Sequence, residues 1–171
     1  EEIEIVYIEN GQMNIKIPSN TFLLEKGDCI VINSNILHYA AAVTECKLRS
    51  LVFGQTLITG SEDLVFAKKY MQPLLTCNGF SHYFINAGSN RDVADWFNCA
   101  FEALAQDCYG YEFTVRENLS RICLFLCREL NPQTDTQNVP PSQDNLRIRK
   151  MLAYIHKNFA DDISLSEISS A

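Results

Sequence analysis

An α+β fold, with a β-sandwich or barrel first and α-helices after it, is what this 171-residue sequence predicts. Three observations carry that expectation. Up to Asn86, short runs rich in β-branched and aromatic residues recur at regular spacing between turn residues. Beyond it, apolar residues recur at steps of three and four, the period of an amphipathic helix. Finally, Asn131 to Asn145 holds three prolines and no aromatic residue, a linker composition, and a last helical pair follows it.

The first expected strands, Glu2 to Glu9 and Gln12 to Ile17, flank Asn10-Gly11, the residue pair that tolerates positive φ best and so signals a hairpin. Further strands are expected at Thr21 to Leu24, Cys29 to Asn33, His38 to Ala42, Glu45 to Phe53 and Ser81 to Asn86. Pro18-Ser19-Asn20, Lys26-Gly27-Asp28 and Ser34-Asn35 punctuate them. A short helix is expected between Ser61 and Gln72 and a longer one between Asn90 and Gln106, where Val93, Phe97, Ala100 and Leu104 share a face.

The next helix, Phe113 to Leu130, carries the stripe Val115, Leu119, Ile122, Leu126 and Leu130, but Cys123, Leu124, Phe125 and Cys127 widen its apolar surface beyond one packing face. Leu124 and Phe125 therefore need a second cover. An isologous contact with another copy of the helix is the economical one, so a homodimer through these two residues is expected; the alternative is that the linker or the last helices fold back over them.

After the linker, Ile148, Leu152, Ile155 and Phe159 form one more helical stripe. Ser164-Leu165-Ser166-Glu167 then spells a capping box, with Ile163 and Ile168 at the staple positions, so a second helix starts near Leu165. A plain terminal helical hairpin would read the same way. The wording is more specific: Tyr154, Ile155, His156, Asn158, Phe159, Ile163, Ser164, Leu165, Ile168 and Ala171 resemble the opening of the DNA-binding domain of AraC/XylS-type transcription regulators, with Ser169 where that family usually has Ala. The resemblance covers about a seventh of the chain and implies a partial helix-turn-helix that stops before its recognition helices. DNA is then a partner of the full-length protein only, with Arg149 and Lys150 as backbone contacts.

Composition agrees with a chain that is mostly not a nucleic-acid surface. A net charge of −7 has the wrong sign for displacing counterions from phosphates, and only Arg147, Arg149, Lys150 and Lys157 form a local basic cluster. Seven cysteines, an odd number with no C-x-x-C pair, several inside apolar runs such as Ile122 to Cys127, predict buried reduced thiols and a cytoplasmic protein. Their spacings match no structural zinc pattern. The sequence has no apolar run of 18 residues, the length a membrane-spanning helix needs, and no visible signal peptide, although it starts at Glu1 without Met.

Two spacings in the strand half bear on chemistry. Glu4, six residues, Gly11, and then Gly27, five residues, Asn33-Ser34-Asn35, two residues, His38 resemble the two signature motifs of the cupin jelly-roll. Asn33, Asn35 and Ala42 replace the family's Pro, Gly and Asn; Asn at the Gly position still reaches positive φ. The resemblance implies that Glu4 and His38 point inward. It also implies that the first motif's histidine pair would precede Glu1, which leaves two ligands, too few for a catalytic metal. No metal and no cofactor are therefore expected, and His38 has the plainer reading of a turn histidine satisfied by backbone. Arg49, which interrupts the apolar strand Leu48 to Phe53, is a candidate third polar group, or else a solvated strand residue.

A cupin-like jelly-roll barrel, helices, a linker and a partial helix-turn-helix together resemble an AraC-type regulator. This implies an effector-binding and dimerisation domain at 1–130, a linker at 131–145 and the start of the DNA-binding domain at 146–171. The effector site would use Glu4, His38 and Arg49, and a sugar or related small metabolite is the family-level ligand. No catalytic residue is expected. The alternative is a cupin enzyme, a metal-dependent dioxygenase or an isomerase, which needs a fuller ligand set or an acid/base pair on one substrate atom.

Overall fold

The computed structural model describes residues 2–18, 20–132 and 143–170, without the side chains of residues 143–146, 148 and 149. They fall into two compact units, Glu1–Thr136 and Gln137–Ala171.

In the first unit all seven expected strands are present, their ends within two residues of expectation: β1 (Glu2–Asn10), β2 (Met13–Ile17), β3 (Asn20–Leu24), β4 (Cys29–Ile32), β5 (Tyr39–Ala42), β6 (Lys47–Gly54) and β7 (His82–Ile85). Their pairing differs from the expected hairpin. β1 and β2 lie in different antiparallel sheets, one ordered β6-β1-β4-β7 and the other β3-β2-β5. Asn10-Gly11 is thus a crossover between layers. Gly11 has φ 83°, and a Cβ on it would lie 2.1 Å from the Glu45 carbonyl oxygen. The same positive φ that suggests a hairpin is needed here because the chain passes against that carbonyl.

Strand alternation divides the core in two. Val6 and Ile8 of β1 and Ile30 and Ile32 of β4 face the three-stranded sheet, where they meet Met13, Ile15 and Leu24. Ile3, Ile5, Cys29, Val31, Leu51 and Phe53 face the other way, onto the helices. The four-stranded sheet is covered on both faces, which is why β4 reads as an unbroken apolar run.

The helix expected between Ser61 and Gln72 is replaced by a more broken arrangement. α1 (Gln55–Thr59) starts directly after β6 and ends at Gly60, φ 79°; a π-helical turn, Ala67–Met71, then runs into α2 (Gln72–Thr76). Pro73 lies in the first turn of α2, where its missing N–H is least costly. α3 (Arg91–Gln106) and α4 (Tyr111–Leu130) match expectation closely.

The wide apolar surface of α4 is largely consumed within the chain. Phe125 meets Tyr83 of β7 edge-on, ring centroids 5.6 Å apart; Tyr83 donates to Glu129 at 3.1 Å, and Arg116 donates to the Ile58 carbonyl at 3.2 and 2.8 Å. α4 thus packs on α3, on β7 and on the α1–α2 segment, and Phe125 already has a cover. Leu124 does not: it is 47% exposed and lines a hollow of about 270 Å³ with Tyr70, Cys127, Arg128 and Pro132. The cysteines also divide. Cys29, Cys77 and Cys123 are buried as expected, but Cys99 and Cys108 are exposed. Burial pushes the Cys29 and Cys123 thiols up to about 12.

The second unit contains α5 (Gln143–Asn158) and α6 (Leu165–Ser170). α5 begins inside the stretch expected to be linker, whose residues 133–142 lie outside the described residues. The capping box is formed: the Ser164 N–H donates to Glu167 Oε2 at 2.8 Å, the Ser164 hydroxyl donates to the same oxygen at 2.7 Å, and the Glu167 N–H donates to Ser164 Oγ at 3.3 Å. These bonds from the Ser164 side chain and backbone hold the Glu167 carboxyl below its ordinary range. Lys150 is exposed; the side chain of Arg149 lies outside the described residues.

Candidate functional site

The site forms where β1 passes under the start of β5. Val6 pairs with Ser50 and Glu4 with both Ile32 and Val52, so Glu4, Ser50 and Val52 share the inner face of the four-stranded sheet. On the other layer, Ala40 and Ala42 pair with buried Ile15 and Met13 and share their face. Gly27 (φ 89°) and Asn35 (φ 61°) both adopt the positive φ expected of the second motif, and the turn at Asn35 delivers His38 to β1. Asn33 serves a different end from the family's proline: it is buried, its amide donates to the Leu75 and Phe80 carbonyls at 2.9 and 2.7 Å, and its oxygen accepts from the Ser34 N–H.

Glu4 is the hub. One carboxylate oxygen lies 2.9 Å from His38 Nε2 and the other accepts from the Ser50 hydroxyl at 2.8 Å. His38 Nδ1 is 2.9 Å from the Ile36 carbonyl. Which ring nitrogen donates in these two contacts depends on the tautomer. The pair is partly open to solvent, with side-chain exposures of 25% for Glu4 and 28% for His38.

Two of the three expected site residues are brought together and one is not. Arg49 pairs with Tyr7, on the opposite face of the sheet from Ser50. Its guanidinium donates to Glu9 Oε2 at 3.3 Å, Asn98 Oδ1 at 3.2 Å and Glu102 Oε1 at 2.6 Å, and lies 4.9 Å from the centre of the Phe101 ring. It therefore ties the sheet to α3. Lys47 and Arg49 together hold the Glu9 carboxyl below its ordinary range. The polar group that joins Glu4 and His38 instead is Ser50, one residue further along β6. Sequence reading missed it because a serine in an apolar strand is an ordinary occurrence, whereas an arginine draws notice.

Around the hub the sandwich gapes. Leu48 and Val52 face inward by alternation yet are 38% and 56% exposed, and Ala40 and Ala42 opposite them are exposed too. These inward-facing apolar residues on two edge strands are thus left uncovered beside the polar cluster. The donor set does not suit a metal: Glu4 and His38 supply two ligands, and among the described residues no group of three or more His, Cys, Asp or Glu side chains converges. What it can do is present fixed hydrogen-bonding groups at the base of an apolar slot.

The family of AraC-like ligand binding domains matches residues 1–120. No curated protein sequence matches the chain. Among solved structures, apo ToxT from Vibrio cholerae is similar, with TM-score 0.54 and 10% identity over 99% of this chain and 61% of that one. ToxT from the same organism bound to an unsaturated fatty acid gives TM-score 0.52 and 9% identity over 99% and 60%. At such identity the likeness is one of fold, and the chain spans about three fifths of the length of these structures.

Proposed function

Because this chain belongs to the family of AraC-like ligand binding domains, we propose that it is the effector-sensing part of a ligand-responsive transcription regulator, with the effector seated in the β5/β6 cleft on Glu4, His38 and Ser50. The observation that carries this reading is the cleft itself: inward-facing apolar residues left uncovered beside a hydrogen-bonded polar hub. A fatty acid bound by ToxT supports a small molecule within this fold.

The second unit supports the transcriptional half of the proposal. Its capping box and helix order fit the opening of a helix-turn-helix, and Leu152, Phe159 and Leu165 are all exposed, an apolar set that further helices of such a module would cover. On this reading residues 1–171 alone have no operator-specific affinity, and Lys150 and Arg149 meet DNA backbone only in the full-length protein. A second copy docks on the outer side of α4. Leu124 is its apolar anchor, in place of the expected pair, because Phe125 is occupied by Tyr83. Phe113, eleven positions earlier and also exposed, lies on the same side, with the Glu117–Arg121 ion pair between them.

Thermal-shift screening of the 171-residue chain against small metabolites tests the proposal. A compound that raises the melting temperature should lose its effect in Ala40→Trp, which fills the cleft. A stabilising compound equally effective on that variant would place its site elsewhere and overturn the assignment.

A further inference from the structure

We infer that the cleft takes a ligand bearing a protonated amine on a compact apolar body, its ammonium group set on the Glu4 carboxylate. This rests on the reading of the cleft as the effector site. The charge distribution is the first argument. By strand alternation Glu2 and Glu4 lie on the inner face of β1, whereas Lys16, Lys47 and Arg49 all fall on the opposite parity; no described strand of either sheet places Lys or Arg on an inner face. A carboxylate ligand would meet two like charges, with His38 beside Glu4 and His82 on the inner face of β7 as the candidate cations.

The second argument is the geometry already in place. Ser50 fixes one Glu4 oxygen, and the other lies 2.9 Å from His38 Nε2. An ammonium group can take over that contact from the His38 ring, or share the carboxylate with it, without any new anion being supplied. The third argument is what the walls lack. Ala40, Ala42, Leu48 and Val52 offer hydrocarbon and no side-chain hydrogen bond, so a polyol would bury hydroxyls without partners, whereas an aromatic or branched aliphatic body would be covered.

The test is calorimetric titration of the full chain with 2-phenylethylamine, 3-phenylpropanoate, 2-phenylethanol and glucose at neutral pH. The amine should bind saturably, and both the acid and the alcohol about ten-fold more weakly or not at all, a difference of about 1.4 kcal/mol. Glu4→Gln should weaken amine binding by about ten-fold as well. Val52→Lys, a change at an exposed position that adds a cation to the inner face, should do the same if Glu4→Gln fails to fold. Tighter binding of the acid, alcohol or glucose, amine binding indifferent to both variants, or no binding by any probe overturns the inference. If alcohol or glucose binds and Ala40→Trp abolishes it, the cleft is still the effector site and only the ligand class is wrong; a bound probe that Ala40→Trp leaves untouched defeats both.

Discussion

The two ends of the β-sandwich are built differently. At the β3/β7 end, Phe22 packs 6.0 Å from Phe84 and 4.5 Å from His82, ring to ring, and the layers are sealed by aromatic side chains. At the β5/β6 end the corresponding inward positions are Ala40, Ala42, Leu48, Ser50 and Val52, and they leave a cleft with Glu4 and His38 at its base. Aromatic rings span the layers at one end and smaller side chains line the other. The closed end supplies stability and the open end is free to carry a ligand, so substitutions at the two should have opposite consequences.

The largest expected effect is at the sealed end. Phe84→Ala removes an aromatic ring that spans the layers and should cost about 3 kcal/mol in urea denaturation, whereas Val52→Ala, at the open end, should stay within about 0.5 kcal/mol. Equal losses would mean that the open end is packed after all. Next comes overfilling. Leu24→Trp, in the fully buried layer, should destabilise by about 1–3 kcal/mol, while Ala40→Trp, which has space, should cost less than about 1 kcal/mol. On the far side of the molecule, Leu124→Glu should shift any dimer to monomer in sedimentation with the melting temperature unchanged; a wild-type monomer at tens of micromolar would end the dimer proposal.

A smaller effect is read by pH at His82. Burial beside Phe22 lowers the His82 pKa from its ordinary 6.5. The folded state then binds this proton less readily than the unfolded chain, so the stabilising contribution is complete above pH 6.5 and drains away as pH falls from there through the lowered value. His82→Gln should flatten the stability profile below pH 6.5, as read by denaturation midpoints across pH. A profile unchanged by this substitution would show that the aromatic end does not shield the ring.

Much of this architecture was legible in the residues. Strand positions follow from alternation and turn residues, because both are local. Strand partners are not local: Asn10-Gly11 satisfies the backbone needs of a hairpin and of a crossover equally, and the folded chain pairs β1 with β4 and β6 and not with β2. The cupin-like spacings led to Glu4 and His38 and to positive φ at Asn35, but Arg49 and Ser50 could not be assigned to faces. In a sheet buried on both sides, apolar neighbours do not reveal which parity looks inward. The breadth of α4 calls for a second cover, and Tyr83, 42 residues away in sequence, reaches Phe125 only through the fold, while Leu124 stays exposed.

The central claim is that the gaping β5/β6 end holds the effector. Methyl-labelled Ala, Leu and Val resonances, followed during titration with whichever of the amine, acid or alcohol probes binds, test it most directly. The largest shifts are expected at Ala40, Ala42, Leu48 and Val52, with little change at Leu24. Shifts concentrated at Leu124, beside the hollow on α4, would contradict it.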